Sequence, residues 1–286
     1  VVSAGAGGRA GAGEAGVAGA QTPAAPTAPR GGRQAIAAEG GAGARAGEPA
    51  ERAGAGGTSA ATGGSSGVPA TQGQFQLPPL NGGLDYQLGG PYSPAGSVKI
   101  VSRDRKAQPA AGLYNICYVN GFQAQQEEND FWLMQHPELV LRDQANKPVV
   151  DADWNEMLFD ISTAGKREAL GQVMGDWIAG CAKAGFDAVE IDNLDSYTRS
   201  NGRLKEQDAV SFVRILADAA HAHGLAIAQK NASALVPRRA EMGTDFVVAE
   251  ECNRYQECDD YRAGYDDHVL VIEYRRSDFQ AGCAAY

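Results

Sequence analysis

The 286-residue chain carries 35 acidic against 25 basic side chains, and its first 74 residues contain no Phe, Trp or Tyr while 42 of them are Gly or Ala. Such a tail buries too little apolar surface to offset the entropy of ordering it, so residues 1–74 read as a disordered Gly/Ala-rich linker and residues 75–286 as one folded domain. That domain holds the acidic excess, 31 carboxylates against 20 cations, which argues against nucleic acid as a ligand, and no apolar run of 18 or more residues offers a membrane span.

Eight short apolar, β-rich runs follow in chain order: DYQLGG (85–90), SVKIVS (97–102), LYNICYV (113–119), MLFDIS (157–162), FDAVEID (186–192), LAIAQK (225–230), DFVVAEE (245–251) and HVLVIEY (268–274). Residues 167–184 place Leu170, Val173, Met174, Trp177, Ile178, Cys181 and Ala182 at the i, i+3, i+4, i+7 spacing of a core-facing helix, closed by Gly185. Residues 207–223 repeat the design up to Gly224. A helix joined through a short Gly turn to the next strand implies a parallel sheet with right-handed crossovers. Eight such strands predict a single-domain α/β fold, a (β/α)8 TIM-like barrel. An open doubly wound sheet is the alternative, but neither Gly82-Gly83 nor Gly89-Gly90 matches a phosphate-binding loop. The stretch 103–112 is too short and polar for a full helix.

In a parallel barrel the chemistry gathers at the carboxyl ends of the strands. Polar residues fall there repeatedly: Asp160; Asp192 and Asn193; Gln229, Lys230 and Asn231; Glu250 and Glu251; Glu273 and Tyr274. Glu190 and Asp192 share a strand face because side chains alternate. Asp195 is read as a helix cap or a contact. Tyr86, Tyr118, Trp154, Tyr197, Tyr255 and Tyr274 lie at or just beyond strand ends, where sugar rings stack on aromatic faces.

His221 and His223 sit two apart on a predicted helix, where they share no face and read as solvent-side. The histidines thus form no HxH strand pair and no HExxH set, and no Gly-x-Ser-x-Gly elbow occurs; zinc and serine hydrolase chemistry lack their usual parts. No metal and no cofactor is expected. Carboxylates remain. Splitting a glycosidic bond needs one carboxylic acid to protonate the leaving oxygen and one carboxylate to act as nucleophile or base. Asp192 and Glu250 meet that need from across the barrel mouth, with Glu251 competing for the second place because a one-residue register change exchanges them. Lys230 either holds a carboxylate ionised or forms a structural ion pair. Among the five cysteines, Cys252 and Cys258 suit a loop disulfide of an exported protein or a pair of buried thiols, and Cys181 reads as core.

DYQLGG, FDAVEIDNLDSY, the pair Lys230-Asn231 and FVVAEEC together resemble glycoside hydrolase family 114, the endo-α-1,4-polygalactosaminidases, in the same order through the whole of residues 75–285. The resemblance implies a barrel that cleaves galactosamine-containing exopolysaccharide, with Asp192 and Glu250 as the acidic pair. It makes 75–286 a catalytic domain, secreted or cell-surface, with a polysaccharide of cationic amino sugar as its partner and a monomer as its form. Asp85, Asp160, Glu190, Asp195 and Glu273 are then available to hold sugar ammonium groups by charge-assisted hydrogen bonds. A chain opening on Val reads as processed or truncated, a signal peptide being allowed for but not visible. A non-catalytic polysaccharide-binding barrel and a hydrolase of another sugar polymer are the competing expectations.

Overall fold

A computed structural model of the protein describes residues 75–285, so the linker expected at 1–74 lies outside the described residues. In chain order the elements are β1 (Gly83–Gln87), β2 (Val98–Asp104), β3 (Tyr114–Asn120), β4 (Gln123–Ala124), α1 (Asn129–Gln135), β5 (Val150–Asp151), β6 (Glu156–Leu158), α2 (Ala164–Ala184) and β7 (Ala188–Asp192). They continue with α3 (Glu206–Ala222), β8 (Ala226–Lys230), α4 (Arg239–Met242), β9 (Phe246–Glu250), α5 (Cys252–Tyr255), α6 (Cys258–Tyr265), β10 (Val269–Ile272) and α7 (Arg276–Ala285).

Seven strands pair in the order β1-β2-β3-β7-β8-β9-β10, every pair parallel, and curve into the nearly closed α/β barrel that the strand pattern predicts. Seven of the eight predicted strands supply this sheet. The eighth, MLFDIS, does not: β6 pairs antiparallel with both β4 and β5, and β3 pairs directly with β7. The reason is local. The Leu158 amide donates to the Val149 carbonyl and its own carbonyl accepts from Leu141, while the Phe159 amide donates to Phe122, so the segment's backbone groups are satisfied before a barrel neighbour is reached. Residues 121–161 therefore form a flap on the barrel rather than one of its staves.

The helices follow from sequence at their ends. Thr163 caps α2 by accepting from the Lys166 amide, and Gly185, at φ 94°, ends it in the left-handed conformation that costs glycine little. Asp208 accepts from the Lys205 amide at the start of α3. Where α2 meets α3, a Cβ on Gly171 would stand 2.6 Å from Ile215 Cγ2, so only glycine permits this approach. His221 on α3, read as solvent-facing by its spacing, stacks on Phe75 with ring centres 4.7 Å apart and lies 2.8 Å from the Asp245 carboxylate.

Strand alternation divides the core. Val189, Ile191 and Ile227 pack outward with the buried faces of α2 and α3, and Val247, Ala249 and Val271 pack outward with Tyr261 and Tyr265 of α6. The opposite set, Leu84, Ile100, Ile116, Ala188, Ala226, Ala228, Phe246, Val248, Leu270 and Ile272, fills the barrel interior. Two disulfides lock outer layers: Cys117 on β3 to Cys181 on α2, and Cys252 to Cys258 in the chain that follows β9. The first corrects the reading of Cys181 as plain core. Among the described residues, no helix is long and apolar enough to cross a membrane.

Candidate active site

The apolar interior stops one alternation step short of the strand ends. Next up on the same faces come Tyr86, Ser102, Tyr118, Glu190 and Lys230, then Asp192, Glu250 and Tyr274 at the mouth. They close the floor of a cleft of about 480 Å³, lined also by Leu88, Gly89, Asp104, Gln125, Trp154, Glu156, Asn193 and Asn231. A smaller cavity at the amino ends of β1 and β10, about 170 Å³, gathers no comparable set of carboxylates.

Lys230 organises the floor. It is 3% exposed, and its Nζ lies 3.4 Å from Glu190 Oε1, 3.6 Å from Asp192 Oδ2 and 3.3 Å from Glu250 Oε2, while donating to the Tyr86 hydroxyl at 3.0 Å. Burial pushes its pKa down, but Asp192, Tyr86, Glu250 and Glu190 outweigh that and hold it well above the ordinary lysine value. Asp192 and Glu250 thus do not face each other across the mouth. They stand on β7 and β9, either side of the β8 lysine, and the two distances place their lysine-facing oxygens no more than about 7 Å apart.

Each carboxylate is fixed by donors. Asp192 accepts from the Tyr118 hydroxyl (2.8 Å) and the Asn193 amide (2.8 Å). Glu250 accepts from Asn231 Nδ2 (3.0 Å) and from the Tyr274 hydroxyl, and its own amide donates back to Asn231 Oδ1 (2.8 Å). Burial pushes the Glu250 pKa up, but Lys230, Tyr274 and Asn231 more than offset it and hold the carboxyl below its ordinary range. Glu190, fully buried beneath the cleft, goes the other way: desolvation dominates over Lys230 and over the hydrogen bonds from Tyr86 (2.5 Å) and Ser102 (2.9 Å), and its pKa is raised. Burial and the nearby Glu190 raise Tyr86, so it remains a neutral donor.

Of the residues singled out from sequence, Tyr86, Tyr118, Trp154, Asp192, Asn193, Lys230, Asn231, Glu250 and Tyr274 meet in the cleft, with Glu190 under it. Others are not brought there. Asp85 lies on the outer face of β1, held by Gln87 Nε2 (2.8 Å) and the Tyr92 hydroxyl (2.5 Å), because alternation gives the inner face to Tyr86. Glu251 takes a positive φ of 55° and turns to a two-oxygen contact with Arg254, leaving the cleft position to Glu250. Glu273 accepts from the Asn253 amide and side chain, outside the cleft, where Tyr274 occupies the inner position. Asp160 binds Ser162 and Lys166 at the start of α2. Asp195 pairs with Arg199 at 3.0 Å, and Tyr197 packs half-buried against the α3 side of the core. Cys252 and Cys258, which with Glu273 form the one convergent metal-type donor set among the described residues, are spent in their disulfide.

Two cleft carboxylates escaped the sequence reading, Asp104 and Glu156. Glu156 precedes MLFDIS; in a barrel strand that end would point away from the chemistry, but the flap runs the other way. The polar DADWN before it, a turn signal, was the available clue. Burial and Asp192 raise the Glu156 carboxyl to about 7 in spite of a hydrogen bond from Asn120.

Residues 64–286 match the family Glycoside-hydrolase family GH114. The chain belongs to this family. The GH114 match makes the protein a glycoside hydrolase and opens slightly before the domain start expected at 75. Among solved structures, Ega3 from Aspergillus fumigatus in complex with galactosamine is 26% identical, with a TM-score of 0.54 over 77% of this chain and 89% of that one. The glycoside hydrolase domain of PelA from Pseudomonas aeruginosa is 16% identical, with a TM-score of 0.48 over 72% of this chain and 89% of that one. No curated protein sequence matches this GH114 chain.

Proposed function

We propose that this glycoside hydrolase cleaves internal α-1,4 bonds of a galactosamine-containing exopolysaccharide, with Asp192 and Glu250 as its working carboxylates and residues 75–286 as the catalytic unit. The observation that carries this is the pair itself, two cleft carboxylates held either side of one buried ammonium and within about 7 Å of each other, the arrangement that two-carboxylate glycoside hydrolysis requires.

Charge supports a cationic sugar. The cleft is lined by Asp104, Glu156, Asp192 and Glu250 against the cation Lys230, which Asp192, Glu250 and the underlying Glu190 already engage. A relative of this chain was crystallised with galactosamine, whose amine is a cation when protonated. Two disulfides favour an oxidising compartment, in keeping with action on polysaccharide outside the cell.

The test is release of reducing ends from α-1,4-galactosamine polymer. Asp192→Asn and Glu250→Gln should each slow it about a thousandfold with the melting transition retained, the middle of the range for lost acid–base function. Wild-type turnover in either variant refutes the pair. Binding of polymer by the unmodified protein with no new reducing ends refutes hydrolysis in favour of a non-catalytic barrel.

A further inference from the structure

On the wall of the cleft away from Glu250, the flap contributes two residues, Trp154 and Glu156, that the two-carboxylate chemistry leaves unused. Trp154 and Tyr274 are the most exposed aromatic side chains among the described residues, at 61% and 65%, and both line the cleft. An indole left in water beside a substrate channel has an apolar face with nothing to cover it. Its turn is braced from three sides. Asp151 accepts from the Asp153 amide (3.0 Å) and from Gln123 Nε2 (3.0 Å), Arg199 Nε stands 2.8 Å from the same Asp151 carboxylate, and the Trp154 carbonyl accepts from Gln126 Nε2 (2.9 Å).

Two residues beyond Trp154, Glu156 enters the same cleft. Its Oε2 accepts from Asn120 Nδ2 (2.9 Å); Asn120 Oδ1 accepts from Asn193 Nδ2 (3.0 Å); the Asn193 amide donates to Asp192. A chain of hydrogen bonds therefore places Glu156 next to Asp192 along β3, while Glu250 is two strands away on the other side. Facing Glu156 are Asp192 from β7, Asp151 from β5 and Glu127 before α1; the cations nearby are already engaged, Arg199 with Asp151 and Asp195, Lys106 with Glu127 and Glu128. Among the described residues the Glu156 carboxyl has no cationic partner, and it is only partly buried.

We propose that Trp154 and Glu156 form a sugar subsite on the flap that selects the free, protonated amine of a hexosamine unit adjacent to the bond being cut, the ring stacking on the indole and its ammonium pairing with the Glu156 carboxylate. This rests on the hydrolase reading above and extends it to a specificity determinant. An N-acetylated ring offers a neutral amide there and leaves the carboxylate unpaired, which is how a polar site rejects a near-isostere. The raised Glu156 carboxyl, protonated in the empty cleft below pH of about 7, gives the contact a signature: a bound ammonium favours the anion, so the proton leaves on binding.

The experiment measures binding of α-1,4-linked galactosamine oligomers, and of their N-acetylated forms, to Glu250→Gln protein by calorimetry at pH 6 in buffers of different ionisation enthalpy, Glu250 being absent from the charges that raise Glu156. Expected are release of close to one proton with the deacetylated oligomer, a loss of that release and about tenfold weaker binding when Glu156→Gln is added, and a smaller effect of Glu156→Gln on the N-acetylated oligomer. Trp154→Ala should weaken both oligomers alike, since stacking ignores the amine. Unchanged affinity and proton release in Glu156→Gln overturn the subsite while leaving Asp192 and Glu250 untouched. A Glu250→Gln protein that binds neither oligomer overturns the subsite and the galactosamine substrate together.

Discussion

Replacing Lys230 by Met keeps an unbranched side chain of similar length and removes the one cation beneath the cleft. At 3.3–3.6 Å, each contact of Nζ with Glu190, Asp192 and Glu250 is of the order of 5 kcal/mol at an effective dielectric constant of about 20. Desolvation of the lysine, several kcal/mol, cancels much of the sum, so the measurable loss should be that of a buried pair broken on one side, about 3–5 kcal/mol near pH 8. Its pH dependence is the sharper signature. Without Lys230, the folded-state pKa values of Glu190 and Glu250 rise above their unfolded values, the native protein holds more protons than the unfolded chain in that window, and stability falls as pH rises through it. The deficit relative to the parent should therefore be small near pH 4.5 and full at pH 8. Guanidinium melts of both proteins across this range read it directly, and the acid limb of the pH–rate profile should move to higher pH. A deficit under about 1 kcal/mol, or one equal at both ends of the range, would refute the assignment of Lys230 as the charge holding the carboxylates ionised.

Glu156→Gln tests the flap carboxyl through stability alone. A carboxyl raised from 4.5 to about 7 favours the native state when protonated, so the parent should lose stability between pH 4.5 and 7; the full shift is about 3 kcal/mol, and solvent screening at this half-buried site reduces it to about 1–2. The Gln variant should lack that loss and be the more stable at pH 8, whereas an equal difference at pH 4.5 and pH 8 in urea melts contradicts the raised carboxyl. Cys117→Ser with Cys181→Ser opens a 64-residue separation between β3 and α2 and should cost about 4 kcal/mol by the loop-entropy relation, against about 2 for the six-residue separation of Cys252 and Cys258. Calorimetric melting of the two double variants distinguishes them, and the larger loss in the Cys252/Cys258 variant would contradict that ordering.

Much of this site is legible in the sequence because Glu190 and Asp192 lie two apart on one strand, Lys230 ends the next and Glu250 the one after, each linked by a helical crossover. What is not legible is which of two neighbouring polar residues faces inward. Strands of a parallel barrel are buried on both faces, so Asp85-Tyr86, Glu250-Glu251 and Glu273-Tyr274 carry no apolar alternation to mark the interior. The register is set by packing instead: Leu84, Val248 and Ile272 share the interior cluster, and the residues two beyond them, Tyr86, Glu250 and Tyr274, reach the cleft. The Cys117–Cys181 bridge was hidden for a different reason, since both residues sit in apolar patterns that explain them without a partner.

The misplaced strand matters less to the candidate pair than to its surroundings. Asp192 and Glu250 keep their relation whether MLFDIS is a stave or not, because that relation depends only on β8 lying between β7 and β9. The wall beside β3 depends on it entirely. As a parallel stave, the segment would have delivered its carboxyl end, Asp160, to the mouth; folded back antiparallel on β4 and β5 it sends Asp160 to Lys166 and presents its amino end, Trp154 and Glu156, to the cleft. The carboxylate and aromatic ring on this side therefore belong to an excursion whose residues can vary without disturbing the barrel's hydrogen bonds, while Asp192, Lys230 and Glu250 are fixed by the sheet. On the subsite proposed above, discrimination among sugars would lie on the flap, while the candidate pair Asp192 and Glu250 lies on the sheet.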